Sequence, residues 1–201
     1  SWNKPQRIFV CSMGDLFHQD VTDWYIDRVF ARMNVAYWHT FIVLTKRAER
    51  MWRYLERVRI EKRDNTVGTN ERWQLPDPWR DIPATLPNVW LGVSAENQAT
   101  ADERIPFLLQ TPAAVRFVSC EPLLSSLELG TYSRLDWCIV GCESGPRARP
   151  LDVDWARSLR DQCTEAGVAY FLKQMPVDGK LTKMPFLDGK QWEEYPTCAR
   201  G

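Results

Sequence analysis

Six short apolar runs recur along the chain, at 7–13, 40–44, 88–93, 115–120, 137–141 and 168–172, and each is rich in Val, Ile, Phe, Leu or Trp. Most are near-continuous rather than alternating. A strand with one wet face alternates with a period of two, whereas a strand covered on both faces stays apolar throughout, as in parallel sheets packed under helices. Helical patterns fall between the runs. Residues 20–34 open on Asp20 or Thr22 as N-cap and carry Tyr25, Ile26, Val29, Phe30 and Met33 on one face. Residues 46–63 turn Met51, Leu55 and Val58 inward and Arg50, Arg53 and Arg57 outward. Residues 100–110 hold Ile105, Leu108 and Leu109, and Pro106 predicts a break or a late start. Residues 152–166 carry Trp155, Leu159 and Cys163 and end on Gly167, an apt C-terminal cap. Residues 121–136 show no helical period and read as a loop. Strand–helix–strand alternation of this kind makes βαβ units of one parallel sheet.

Two stretches fall outside the alternation. Segment 64–87, with Trp73, Pro76, Pro78, Trp79, Pro83 and Pro87, is too rich in proline for a helix and reads as a long surface excursion. Residues 180–186 and 190–195 flank Asp188-Gly189, a tight-turn dipeptide. The expected organisation is a β/α domain over 1–178 with a C-terminal hairpin and tail, 179–201, packed on it.

The 201 residues, 44% of them hydrophobic, suit one α/β domain. Lys and Arg number 26 and so do Asp and Glu, so no global field draws the chain to nucleic acid or membrane. No apolar run approaches the roughly 18 residues of a membrane span. Charge is uneven only at 46–63, where eight Lys or Arg face three Glu; that helix is either a nucleic-acid contact or a solvated face with Glu49 paired to Arg53. The six cysteines form no C-x-x-C pair and read as reduced thiols of a cytoplasmic protein. Cys11, Cys120 and Cys142 fall near strand ends, where they either approach one another or are simply small buried side chains. His18 and His39 have no second ligand at metal spacing, so no metal site is expected from them. No signal peptide is visible, and the start at Ser1-Trp2-Asn3 reads as a processed boundary.

Polar residues follow every run. Ser12 and Asp15 follow the first, Thr45, Lys46 and Arg47 the second, Ser94, Glu96 and Asn97 the third, Ser119 and Glu121 the fourth, Glu143 and Ser144 the fifth, and Lys173 and Gln174 the sixth. In a parallel barrel these positions converge on one mouth, and in an open doubly wound sheet they line a crevice where the strand order reverses. Gly141-Cys142-Glu143-Ser144-Gly145-Pro146-Arg147-Ala148-Arg149-Pro150 is the richest segment: its glycines expose backbone amides, and Arg147 and Arg149 are suited to an anion. A rigid turn with two solvated arginines is the other reading.

Six blocks carry a resemblance: Val10-Cys11-Ser12-Met13-Gly14-Asp15-Leu16-Phe17-His18, Val43-Leu44-Thr45-Lys46-Arg47, Trp90-Leu91-Gly92-Val93-Ser94-Ala95-Glu96-Asn97, Ser119-Cys120-Glu121-Pro122-Leu123-Leu124, Gly141-Cys142-Glu143-Ser144-Gly145-Pro146 and Phe171-Leu172-Lys173-Gln174. In this order they resemble the phage and bacterial family called gp thirty-seven/sixty-eight, which is related to radical S-adenosylmethionine enzymes. The resemblance implies a β/α barrel whose first unit binds a [4Fe-4S] cluster through three cysteines. This sequence has no such motif. Its strands then count as units three to eight of a partial, six-strand TIM-like barrel, and cluster and S-adenosylmethionine are expected only with an upstream segment. Two open sheet edges call for a second copy or an edge-covering partner.

On that basis Thr45, Lys46, Ser94, Glu96 and Asn97 are the expected cofactor contacts. Asp15, Glu121, Glu143, Ser144, Arg147, Lys173 and Gln174 are the expected contacts to a small-molecule or nucleotide substrate. Two other functions remain open: a non-catalytic accessory module contacting nucleic acid through 46–63, and a metal-independent enzyme using Glu121 and Glu143 as acid and base.

Overall fold

The apolar runs form strands that lie side by side in chain order. The computed structural model describes residues 3–63, 83, 85–130, 132 and 134–197. In it β1 (Arg7–Val10), β2 (Thr40–Thr45), β3 (Val89–Ser94), β4 (Val115–Cys120), β5 (Trp137–Gly141) and β6 (Ala169–Val177) are each parallel to the next. β7 (Lys180–Lys183) pairs antiparallel with the second half of β6. A separate hairpin joins β8 (Phe186–Leu187) to β9 (Lys190–Gln191). The helices between strands are α1 (Asp23–Val35), α2 (Ala48–Arg63), α3 (Gln98–Gln110) and α4 (Val153–Ala166). The fold is mixed α/β: a curled, mostly parallel seven-stranded sheet forms a half-barrel, with four helices among the described residues.

The near-continuous runs have their physical reason in two separate cores. One joins Val43, Leu91, Val93, Val118, Cys120, Val140 and Leu172 to buried residues of all four helices, among them Ile26, Met51, Ile105 and Leu159. The other, on the opposite face, is made of Ile42, Trp90, Val115, Phe117, Trp137 and Ile139 and takes nothing from a helix. Successive residues of β2 to β6 therefore serve different cores, and both are apolar. The inner core is strongly aromatic. Trp137 packs on Trp90, Phe117 and Phe171 with ring centroids 5.6, 5.6 and 5.9 Å away. Tyr195 covers Trp137 and Phe171 from the C-terminal segment, and the Arg7 guanidinium lies 3.6 Å over the Tyr195 ring.

Local signals explain the helix ends. Thr22 caps α1, accepting from Tyr25 N, and Asp152 caps α4, accepting from Asp154 N. Gly167 closes α4 in the left-handed region at φ +69°. α3 departs from the sequence expectation: it starts at Gln98 and runs through Pro106 unbroken. Its start is fixed by a reciprocal cap between Asn97 and Thr100, and Ala101, Ile105 and Leu108 bury one face deeply enough to carry the hydrogen bond that Pro106 lacks. On α1 Tyr25 is half exposed rather than inward, and Asp27 is buried instead, accepting from the Tyr54 hydroxyl. Residues 121–136 hold no helix among those described, and Asp188 and Gly189 form the expected turn, both at positive φ. Most of the proline-rich excursion lies outside the described residues.

The two edges of the sheet differ. Beyond β6, β7 pairs with 174–177, and the segment around Glu193 pairs with Phe171, Leu172 N donating to Trp192 O and Glu194 N to Tyr170 O. The chain's own C-terminal part thus covers β6, and β7 becomes the outer strand on that side, paired on one side only among the described residues. β1 is paired on one side only among the described residues. No helix among the described residues is long and apolar enough to cross a membrane.

Gly92 is the tightest point of the inner core: a Cβ there would stand 2.4 Å from the Phe117 ring, its direct partner in the β3–β4 register. Gly92→Ala is expected to lower unfolding stability by about 1–3 kcal/mol, the usual range for overpacking. Urea denaturation followed by tryptophan fluorescence measures it, and an unchanged midpoint would show that the ring moves freely.

Candidate functional site

The C-terminal ends of the parallel strands are fastened first by Asp15, in the loop after β1. Its carboxylate accepts from Phe17 N (2.9 Å), Thr45 Oγ1 (2.7 Å), Lys46 N (3.1 Å) and Arg47 Nη1 (2.8 Å). Thr45 Oγ1 in turn accepts from Arg47 N. Burial alone would raise the Asp15 pKa, but the bonds from Thr45, the Lys46 and Phe17 amides and Arg47 outweigh it and hold the carboxyl below its ordinary value. Asp15 and Thr45 thus tie the first loop to the start of α2. They frame the mouth rather than project into it.

Glu96, after β3, is held from two sides. Lys46 Nζ donates to one carboxylate oxygen, and Arg104 Nη1 of α3 donates to the other at 3.1 Å and to Ser94 O at 2.9 Å. Desolvation opposes its charge, yet the bond from Lys46, helped by the charges of Lys46 and Arg104, leaves its pKa lowered. Asn97 accepts from Thr100 N as the cap of α3, so its oxygen serves the helix that delivers Arg104. Ser94 lies on the inner face opposite Ser119 of β4.

On the other side of the mouth Lys173 Nζ of β6 reaches Glu121 Oε2 at 2.9 Å. Glu121 lies across Gly141, where a Cβ would meet its side chain at 3.2 Å. Glu143, after β5, is clamped by Arg149: Nε and Nη2 bond its two oxygens at 3.0 and 2.9 Å, and Arg149 N adds a third bond at 3.0 Å. Those hydrogen bonds lower the Glu143 pKa to about 2. The negative charge of Glu96 also acts on Arg149, which ties the two halves of the mouth electrostatically. Gln174 is buried and donates to Cys142 O, bracing the end of β5. Ser144 and Arg147 are exposed in the turn around Gly145.

Lys46, Glu96, Glu121, Glu143 and Lys173, all read from the sequence, come together in ion pairs at neighbouring strand ends. Thr45, Asn97, Asp15 and Gln174 act one step behind them. Arg104 and Ser119 were absent from the expected contacts. Arg104 carries a signal, since it follows Ala101 by three on the buried face of α3, where a cation implies a partner. The strand-end cysteines Cys11, Cys120 and Cys142 are not grouped to hold a metal ion. Cys11 is exposed, while Cys138 lies against Cys120 and Cys163 on the helix side, its thiol pushed up by sulfur hydrogen bonds to them and by burial.

Two hollows flank this arrangement. Lys46 and Arg104 also wall a groove of about 390 Å³, with Arg47, Arg50, Glu103 and Phe107, on the helix side. A larger one, about 600 Å³, opens at the opposite end of the strands beside Asp136, Lys190, Trp192 and Glu194. Its charges have structural duties: Asp136 accepts from Arg116 N, and Glu194 from Tyr170 N and Lys190. The charged strand ends therefore mark the candidate site.

A carboxyl whose pKa is lowered by folding adds stability that is complete above its unfolded pKa, about 4 for Asp and Glu, and is lost as pH falls through the folded value. Asp15 and Glu96 both belong to this class. The protein is expected to lose stability below about pH 4, and in Asp15→Asn the loss between roughly pH 5 and 3 should be shallower. Thermal midpoints across that range test it; identical slopes in the two proteins would remove Asp15 from the account.

No curated protein and no solved structure matches the chain. The model of DUF5131, described as a protein of unknown function, matches residues 1–196, and the chain belongs to that family.

Proposed function

We propose that this chain is the substrate- and cofactor-facing part of a radical S-adenosylmethionine-like protein, its six parallel strands standing as units three to eight of a partial TIM-like barrel. One observation carries the reading: Lys46, Glu96, Glu121, Glu143, Arg149 and Lys173 come from five successive strand ends to stand around the small residues Ser94, Ser119 and Gly141. Strands in chain order with their helices on one face support a barrel, because a doubly wound sheet reverses its order and carries helices on both faces. The six blocks of the family resemblance are also the segments that end these strands.

The chemistry of the residues suits S-adenosylmethionine: Lys46 for a carboxylate, Glu96 for ribose hydroxyls or an ammonium, and Ser94 beneath them. Thr45 and Asn97 would act through Asp15 and Arg104. The [4Fe-4S] cluster is different. Among the described residues no three His, Cys, Asp or Glu are grouped to hold a metal, and Cys120, Cys138 and Cys163 face the helices. S-adenosylmethionine yields a radical only on reductive cleavage at such a cluster, and no radical step is derived from this chain's residues. The five cysteines among the described residues are free, which suits a reducing, cytoplasmic location. The edge of β1 that has no strand partner among the described residues is where a second copy or an edge-covering partner would add.

Neither other reading gains an observation. In α2, Arg50 holds the carbonyls of Phe17, His18 and Val21, while Arg53, Arg57 and Arg59 hold Glu49, Asp23 and Glu56. The Arg149 bonds that lower the Glu143 carboxyl argue against it as the acid of a pair with Glu121.

Isothermal titration with S-adenosylmethionine tests the proposal. The chain should bind it, and Glu96→Gln should raise Kd at least tenfold, about 1.4 kcal/mol. Absence of binding to the unaltered chain at millimolar ligand overturns it.

A further inference from the structure

Three ion pairs of the mouth share an asymmetry of burial. The side chain of Glu96 is 11% exposed against 58% for Lys46, Glu121 19% against 52% for Lys173, and Glu143 32% against 57% for Arg149. In each pair the carboxylate lies beneath and the cation lies toward solvent. Each cation also keeps unused donors. A lysine ammonium has three N–H groups and gives one to its glutamate, and a guanidinium has five, of which Arg149 uses two side-chain donors on Glu143. An anion arriving from solvent meets these donors without displacing a carboxylate, whereas a cation must first break a pair. Around the mouth Lys46, Arg47, Arg104, Arg149 and Lys173 stand against Asp15, Glu96, Glu121 and Glu143, one positive charge in excess.

Arg149 and Lys173 are neighbours in this respect. Glu143 and Arg149 follow β5, Lys173 belongs to β6, and the two strands are paired up to Gly141 and Gln174. Cys142 N donates to Gln174 O, so Glu143, the next residue, stands beside Lys173, the residue before Gln174, and the Arg149 guanidinium is brought to the same corner of the mouth by its bonds to Glu143. Gly141, between them, contributes no side chain.

We propose that the substrate half of this mouth binds a small molecule through a compact anionic group, a phosphate or a carboxylate, held directly by Arg149 and Lys173, with Glu143 and Glu121 positioning those cations from below. The inference rests on the reading of the mouth as a ligand site and adds the chemical class of its substrate.

Glu143 and Arg149 are exposed enough to be replaced without threat to the fold, which a thermal midpoint verifies. Isothermal titration at low ionic strength uses inorganic pyrophosphate and, separately, citrate. Arg149→Gln and Lys173→Gln should each raise Kd about tenfold, the scale of one charge-assisted contact. Glu143→Gln should instead lower it about threefold, because the amide oxygen still accepts from Arg149 while the negative charge beside the anion is removed. A pair that served only the fold would move Arg149→Gln and Glu143→Gln in the same direction, and that result overturns the proposal. So does a wild-type chain that binds neither anion at about 10 mM. Tighter pyrophosphate identifies a phosphate group and tighter citrate a carboxylate. S-adenosylmethionine binding that survives while both anions fail removes this inference alone, and loss of all three removes the functional reading with it.

Discussion

The helices of this fold cover one face of the sheet, and the rest of the architecture follows from how the other face is filled. With no helix on it among the described residues, the inner face packs on itself: Trp90, Phe117, Trp137 and Phe171 interlock, and Tyr195 closes over them from the C-terminal segment. Rings of this size are worth roughly 1.5–3 kcal/mol each when fully buried, so this inner layer is a second core and not a lining. It needs Gly92 opposite Phe117, because the two meet in register and only one can carry a side chain. Toward the C-terminal strand ends the inner residues shrink to Ser94, Ser119 and Gly141. The change from aromatic to small residues leaves room for charged side chains, as Glu121 lies against Gly141. One-sided cover thus produces both the aromatic floor and the polar mouth above it.

The strands were legible because burial on both faces leaves a direct trace, an unbroken apolar run. Two of the six, at 115–120 and 137–141, agree with the observed bounds residue for residue. Gly167 and Asp188-Gly189 were legible because positive φ restricts the residue type. α3 was misjudged because a local rule about proline was weighed without the cap that precedes it and the buried face that holds it. β7 lies within 180–186, read as one arm of the hairpin, but 180–183 pairs with β6 across the turn at Asp178-Gly179, and only 186–187 joins 190–191. The candidate site divides in the same way. Which residues end the strands was readable from order alone, but which of them touch is tertiary. Lys46 with Glu96 and Lys173 with Glu121 are 50 and 52 residues apart in sequence. The framing duties of Asp15, Thr45 and Asn97 required their hydrogen-bond partners to be seen.

Partly buried carboxylates under exposed cations also decide how such a mouth behaves electrically. A carboxylate left alone at the depth of Glu96 would be desolvated without compensation and would tend to protonate. The cation above it prevents that, so the pair keeps both charges, and the remaining field belongs to the outer partner. A bare lysine in the same place would attract anions more strongly at long range, but its flexible stem would have to be ordered on binding. Pairing orders the stem beforehand. Arg149 is the extreme case: three bonds to one carboxylate fix its guanidinium plane and the backbone beneath it. The arrangement exchanges raw attraction for fixed donor positions, which favours discrimination among anions by shape over simple accumulation of negative charge.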